Sequence, residues 1–539
     1  MNAVLLNGLV AVPAGFALLA ALLVRRERAA VGLAVLGSFA TLAWSVWLVA
    51  EMYGGVLGEP GSTVDMMWLE ALDVHWRLGV DGISGPLILM STIVFATALF
   101  SLLRHAPEAA EGGPRRTGSL AVLLMFIEAG VLGSFLALDM VLFFVFFEVA
   151  LIPMWFVINA WGDAHDAASR RKAATRFLVF TVTGSALMLV GFLLVRAEAG
   201  TFDIVAIASS YTPSTATALA ASLLVGLGLA VKTPLWPLHI WLPDAHSKAP
   251  TVGSVLLAAV LLKLGTYGFL RFWMPVTSPE WLLVPVVAAL AVVGIVYAAL
   301  ACLAQTDLKR LIAYSSVGHM GFVVLGAATF TIGGVQAAVF ASVAHGLITG
   351  LLFFLAGAIK DRYGTADLAQ LRVLYGRVPR LGGLFAFAAM ASLGLPGLAG
   401  FWGEMLAIRS AVDQAAALPE VTYRWLAFIA ALGVILTSAY FLAVMRGMLQ
   451  GPTAGAAGAP DTAPVSPMAD LPSTGSTVTV LATDRVEAEQ VLRDRPDVGG
   501  IEWLTWSPLI VLTVVLGVAP GLLLSPVAAA ASTFLGGLR

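Results

Sequence analysis

Several ionisable residues lie inside or beside apolar runs, where a charge is costly. Glu148 sits within VLFFVFFEVALIPMW, Lys232 within GLGLAVKTPLWP, Lys263 within LLAAVLLKLGTYG and Glu404 within GLPGLAGFWGEML. His319 and His345 fall on or beside two further apolar segments. At the centre of a bilayer such a group costs about 2.5–3.5 kcal/mol on insertion scales, which makes each a functional candidate. For any one of them, structural pairing that pins helices together is the plainer explanation. Acids, bases and histidines spread along successive segments have instead the make-up of a proton relay. The backbone beside them agrees. Pro234 and Pro237 follow Lys232, and the run GLPGLAG at 394–400 precedes Glu404. Proline removes a helix hydrogen bond and glycine loosens the ladder, so such breaks persist at membrane depth only where they line protein or water. Kinks that serve packing alone are the rival reading. Two broken helices in corresponding halves point to an ion pathway built on inverted repeats.

The elements that carry these residues follow from composition. Of 539 residues 59% are hydrophobic and 12% charged, about half the charged share of a soluble domain. Apolar stretches of about 20 residues, enough to cross a hydrocarbon core, recur along the chain. The expected fold is an all-α polytopic membrane protein of about fourteen transmembrane helices. Spans are expected near 3–24, 29–51, 84–103, 118–138, 139–161, 177–196, 215–236, 252–273, 281–303, 318–331, 333–359, 381–407, 424–447 and 507–530. Two inverted five-helix repeats, each with one broken helix, would occupy 118–275 and 276–450. They follow an N-terminal unit of three helices (1–117) and precede an insert (451–506) and a C-terminal helix (507–539).

Lys/Arg placement orients the spans, because cytoplasmic loops hold positive charge. Arg25, Arg26 and Arg28 follow the first span, and Arg104, Arg115 and Arg116 the third. Arg170, Arg171, Lys172 and Arg176 follow the fifth, Lys309 and Arg310 the ninth, and Lys360, Arg362, Arg372, Arg377 and Arg380 the eleventh. Both termini are therefore expected outside. The first apolar segment reads as a retained helix, not a cleaved signal. Residues 53–82 read as a polar outer loop with strand-like pieces. The insert 451–506 reads as cytoplasmic, starting in an Ala/Pro/Gly-rich linker. The single cysteine, Cys302, cannot form an internal disulfide, ligate a cluster alone or build a zinc site; it reads as a small buried hydrophobe.

Several runs resemble a known family. KTPLWPLHIWLPDAHSKAPTVGSVLLAAVLLKLGTYG (232–268), LKRLIAYSSVGHMGFV (308–323), AHGLITGLLFF (344–354) and GLPGLAGFWGEM (394–405) are similar to the M-type antiporter-like membrane subunits of respiratory complex I, the NADH:quinone oxidoreductase. The resemblance covers nearly the whole chain apart from the insert. It implies that Glu148 is the fifth-span glutamate that pairs with the broken-helix lysine, Lys232. It further implies that Lys263 is the central lysine, that His319 and His345 bridge the two halves, and that Glu404 is the terminal group. Sister subunits and Mrp-type antiporters usually carry lysine at that last place, so glutamate favours the M type. His239 is either an auxiliary relay group or a packing histidine.

The same resemblance implies a proton-translocating subunit of a bacterial cell-membrane complex. Its partners would be neighbouring antiporter-like subunits and, indirectly, the peripheral arm, with no nucleic acid. No cofactor or metal is expected on this chain, so NADH oxidation would occur on partner subunits. Opening a Glu148–Lys232 pair would leave an unpaired ammonium whose proton moves to Lys263 and on to Glu404. His75, His105, His165 and His246 are expected in loops or near interfaces, and Arg/Lys neighbours argue against a cation site in GDAHDAASRRK (162–172). The alternatives are an Mrp-type cation/proton antiporter subunit, an energy-converting hydrogenase subunit and a monomeric solute transporter. No substrate-sized polar cluster supports the last.

Overall fold

The computed structural model describes residues 2–54, 63–103, 117–164, 166–371, 374–450 and 497–538. Long apolar runs without water to satisfy their backbone form helices, since a helix bonds every amide internally. In chain order these are α1 (Asn2–Leu22), α2 (Glu27–Tyr53), α3 (Ser84–Ser101), α4 (Thr117–Leu136), α5 (Met140–Trp161) and α6 (Ala167–Ala199). There follow α7 (Ile204–Ser210), α8 (Ala216–Lys232), α9 (Leu242–Lys248), α10 (Thr251–Val276), α11 (Leu283–Leu303) and α12 (Leu308–Ala327). The last are α13 (Ile332–Tyr363), α14 (Pro379–Ser392), α15 (Ala399–Val412), α16 (Glu420–Gln450), α17 (Gly500–Val518) and α18 (Gly521–Gly537). Among the described residues, eleven helices are long and apolar enough to cross a membrane. The strand-like pieces of the loop after α2 pair as an antiparallel hairpin, β1 (Val64–Leu69) and β2 (Val74–Leu78).

Contacts between loops sort the helix ends into two sets. At one end the hairpin bridges Leu78 to Ala137, Asp139 bridges to Asp203, and Ala415 N–H donates to the Thr329 carbonyl at 3.0 Å. At the other, Asp163 N–H donates to the Lys248 carbonyl at 2.8 Å, Asp307 bridges to Asp367, and Arg362 meets Glu502 at 2.7 Å. Trp76 Nε1 donates to Asn7 Oδ1 at 2.8 Å, which puts the start of α1 at the hairpin end. The C-terminal α18 lies there too, with Gln336 donating to the Leu524 carbonyl at 2.8 Å and Arg271 over the Phe534 ring at 5.6 Å. Both termini thus share the hairpin end, opposite the Lys/Arg-rich loops.

Several boundaries differ from the sequence expectation by more than a few residues; the span expected at 177–196 already begins at Ala167, so Arg170, Arg171, Lys172 and Arg176 lie on α6 and not in a loop. The span expected at 318–331 begins at Leu308, so Lys309 and Arg310 lie in the first turn of α12 and not in a loop. Asp307 caps that turn through Arg310 N–H, and the Lys309 chain is almost fully buried. The span expected at 507–530 is two helices, α17 and α18, separated at Ala519–Pro520, and α17 already starts at Gly500. Proline lacks the N–H that would continue the ladder. His105, His165, Arg104, Arg115, Arg116, Arg372 and the insert up to residue 496 lie outside the described residues.

Candidate proton-relay site

The two broken helices form as the Pro/Gly runs require. α8 stops at Lys232, the chain crosses Thr233–Trp241 without regular helix, and α9 resumes at Leu242. Trp241 Nε1 donates to the Val231 carbonyl at 2.9 Å, satisfying an acceptor that the break releases. The second break runs between α14 and α15, with Gly394 at φ +81° and Gly397 at φ +93°. A Cβ on Gly394 would also stand 3.1 Å from Glu404 Oε2, so glycine serves both the turn and the carboxyl beside it.

Helix α10 carries the central lysine. It passes so close to the first break that a Cβ on Gly265 would lie 2.8 Å from Thr233 N. Residues Leu257–Leu261, just before Lys263, form a π-helical turn, a feature frequent at functional sites. Lys263 is fully buried. Its Nζ donates to the Ala258 carbonyl at 2.7 Å and meets His345 Nδ1 at 2.6 Å. The His345 ring lies edge-on to His319, with centroids 5.5 Å apart. His319 Nδ1 pairs with Glu404 Oε1 at 2.9 Å, and its Nε2 with Ser392 Oγ at 3.0 Å. A pocket large enough for a water is lined by His319, His345, Thr349, Ser392 and Glu404. Four of the expected residues, from α10, α13, α12 and α15, thus form one line of titratable groups, hydrogen-bonded at its two ends and joined in the middle by the ring contact of the two histidines.

The other three are not bonded into that line. Glu148 on α5 faces Ser185 and Lys232. Lys232 is buried, but among the described residues its Nζ has no hydrogen-bond partner, and it stands 4.6 Å from the centre of the Phe147 ring. The closed Glu148–Lys232 pair expected from sequence is therefore not made here; the ammonium rests on an aromatic face, which attracts a cation by its quadrupole. His239, in the break, packs against Tyr297 at 5.1 Å with an unpartnered Nδ1.

Two buried groups escaped the sequence reading. His246, expected in a loop or near an interface, is fully buried on α9, stacked on Phe353 at 4.6 Å, with neither ring nitrogen bonded among the described residues. It lies near enough to Lys309 and Lys263 to feel both charges. Lys309 Nζ in turn donates to the Ala249 carbonyl at 3.3 Å. No local signal marks His246, because the non-helical stretch Thr233–Trp241 carries no helical register from Lys232 to it. Glu128, in the run LLMFIEAGVLG of α4, is the second, fully buried with both oxygens unpartnered.

At the Lys/Arg-rich end, Asp244 of α9 is held by Arg176 of α6 and by Arg310 of α12 at 3.6 Å. Asp166 caps α6 through Ser169 and meets Lys248 Nζ at 3.0 Å. The Ser169 bonds and the Lys248 ammonium push its carboxyl down to about 2. These contacts fix the α9 half of the broken helix against its neighbours.

Residues 137–430, which hold the whole line, match the family described as NADH:quinone oxidoreductase/Mrp antiporter, TM. The chain belongs to this family. Among similar members, NADH-quinone oxidoreductase subunit M of Rhodobacter capsulatus is 40% identical over 401 residues, covering 72% of this chain and 74% of that protein. The subunit M of Pseudomonas aeruginosa is 36% identical over 439 residues, covering 78% and 82%. A chain of respiratory complex I from Thermus thermophilus with bound NADH superposes with a TM-score of 0.80 at 27% identity, covering 100% of both chains. A chain of the Mrp complex from Dietzia sp. DQ12-45-1b shares the fold at a TM-score of 0.78 and 23% identity, covering 98% and 99%. The curated members of this family at 36–40% identity thus carry NADH- or NAD(P)H-quinone oxidoreductase names.

Proposed function

We propose that this chain is a proton-translocating membrane subunit of an NADH:quinone oxidoreductase in a bacterial cell membrane, and that protons move along Lys263, His345, His319 and Glu404. The observation that carries this reading is the line through those four side chains, with hydrogen bonds of 2.6 Å and 2.9 Å at its ends and histidine ring centroids 5.5 Å apart between them. His246 stands on the Lys/Arg-rich side of Lys263 and serves as the uptake group, with Lys309 beyond it. Glu148 and Lys232 act as the switch: pairing would hold the ammonium charged, and separation, as in this structure, leaves it without a hydrogen-bonded partner in a dry site. Moving one charge against 100 mV takes about 2.3 kcal/mol, within the range that making or breaking a buried pair involves. A single cysteine cannot ligate a cluster, so electron transfer falls to partner subunits, and neighbouring antiporter-like subunits would adjoin this chain in the membrane.

The test is Lys263→Met in the assembled complex, with proton uptake into inverted vesicles measured per NADH oxidised. Assembly should persist and pumping should fall. Parent-like pumping at normal assembly refutes the line. An Mrp-type cation/proton antiporter is the second reading, favoured by the shared fold; cation-driven proton movement without NADH would support it.

A further inference from the structure

Glu128 lies on α4 and shares no hydrogen bond with the line through Lys263. It is fully buried, and neither carboxyl oxygen has a hydrogen-bond partner among the described residues. A carboxyl that bonds nothing clamps nothing, so the usual structural reason for a membrane-buried acid does not apply. An unpaired carboxylate in such a place is far too costly to persist, and the group therefore carries a proton. Leucine would fill the same position without that penalty, which leaves proton binding as what the residue contributes.

The surroundings suit an acid in its neutral form. Gly118 lies against Ala30 and Gly37 against Met125, so α2 and α4 run in step, seven residues for seven. Glu128, three residues beyond Met125 and seven before Phe135, falls between the face of α4 that meets α2 and the face on which Phe135 packs against Tyr267 of α10, level with residues 40–41 of α2. There α2 carries buried Ser38, Thr41 and Ser45, and α3 carries buried Ser91 and Thr92. Ser38, Thr41 and Ser91 each donate to a carbonyl of their own helix, while Ser45 and Thr92 meet at 2.8 Å, so that one donates to the other and the second to a carbonyl of its own helix. With their hydrogens used, they offer acceptor lone pairs to an acid O–H or to a water.

We infer that Glu128 is a second proton-binding site of this chain, loaded as the neutral acid at rest and exchanging protons during turnover along the hydroxyl-lined seam between α2 and α3. The turnover part rests on the proposed pumping; the loading does not. The test uses the complete membrane complex. Infrared difference spectra of Glu128→Gln against the parent should lose a carboxylic C=O band at neutral pH, and Glu128→Asp should restore it with a shift. An unchanged band overturns the loaded acid. Glu128→Leu should assemble at least as stably as the parent, because no bond is lost; a marked destabilisation means that the carboxyl has a structural partner, and also overturns it. In vesicles, Glu128→Gln should lose part of the protons moved per NADH oxidised. Full pumping with the band lost overturns exchange during turnover, and absence of pumping in the parent itself would instead count against the proposed function.

Discussion

Replacing Glu404 by glutamine keeps the size of the side chain and its hydrogen bond to His319 while removing the charge. His319 cannot turn away to compensate, because Nε2 is held by Ser392 at 3.0 Å while Nδ1 faces Glu404 at 2.9 Å. A hydrogen bond to a charged group contributes about 1.5–3 kcal/mol and a neutral one about 1 kcal/mol. The difference, about 0.5–2 kcal/mol, is about 2- to 30-fold in an equilibrium constant. The bond that holds His319 to this position should weaken accordingly, and the glutamine itself cannot take up the proton at all. Pumping by Glu404→Gln, followed as acidification of inverted vesicles against NADH consumed, should be nearly abolished in a complex that still assembles. Glu404→Asp should keep part of it, since the chemistry survives and only the reach shortens by one methylene. Substantial pumping by Glu404→Lys would mean that the place needs a titratable group of either sign. Parent-like pumping by Glu404→Gln would refute the argument, and the proton would have to leave elsewhere.

Glu148→Gln and Lys232→Met should each lower pumping, with assembly and thermal stability close to the parent's, because no bond joins the two side chains in this structure; a large loss of stability would show that they are clamped. His246→Leu should slow pumping without slowing assembly, and unchanged pumping would remove His246 from the uptake side. Gly265→Val should destabilise by about 1–3 kcal/mol through overpacking against Thr233, read as a fall in Tm. Asp166 has its carboxyl held near 2 in the folded chain, below the usual 3.8, so its contribution is complete above about pH 4 and is lost as pH falls towards 2. The Tm difference between parent and Asp166→Asn should accordingly be constant above about pH 4 and shrink below it; a difference that peaks at low pH would contradict the sign. In a Cys302→Ser background, an impermeant thiol reagent on intact cells should label Ala208→Cys at the hairpin end and spare Ala366→Cys at the other.

What the sequence disclosed depended on how directly chemistry maps to local structure. Apolar length sets a span almost by itself, which is why α4, α5 and α11 fall within a few residues of expectation. The breaks were legible because proline and glycine act on their own backbone, and the relay residues because a charge in an apolar run is conspicuous. Lys309 was read as an interfacial charge, since nothing local tells that an aspartate cap starts α12 ten residues before the apolar run. His246 was lost for a related reason: its surroundings, WLPDAHSKAP, are polar enough to pass for a loop, and only tertiary packing against Phe353 buries them. The Glu148–Lys232 distance is a property of two helices that meet in space, and one-dimensional spacing carries no information on it.

The two stretches that flank the insert end on the same short piece of chain. Leu449, one residue before the end of α16, packs against Gly382, while the Asp497 carboxylate accepts from Arg380 and Leu381 N–H and so caps α14. Arg362 then fastens Glu502 and the Asp497 carbonyl to the end of α13. The helical bundle is therefore closed at this corner whatever joins residue 450 to residue 497. Lengthening such a connection costs only about 0.6 kcal/mol per doubling, so the corner tolerates exchange of the intervening segment. It is a natural splice point: a short linker, an affinity tag or a fluorescent reporter could be placed there, on the Lys/Arg-rich side, without disturbing the helices that hold the relay.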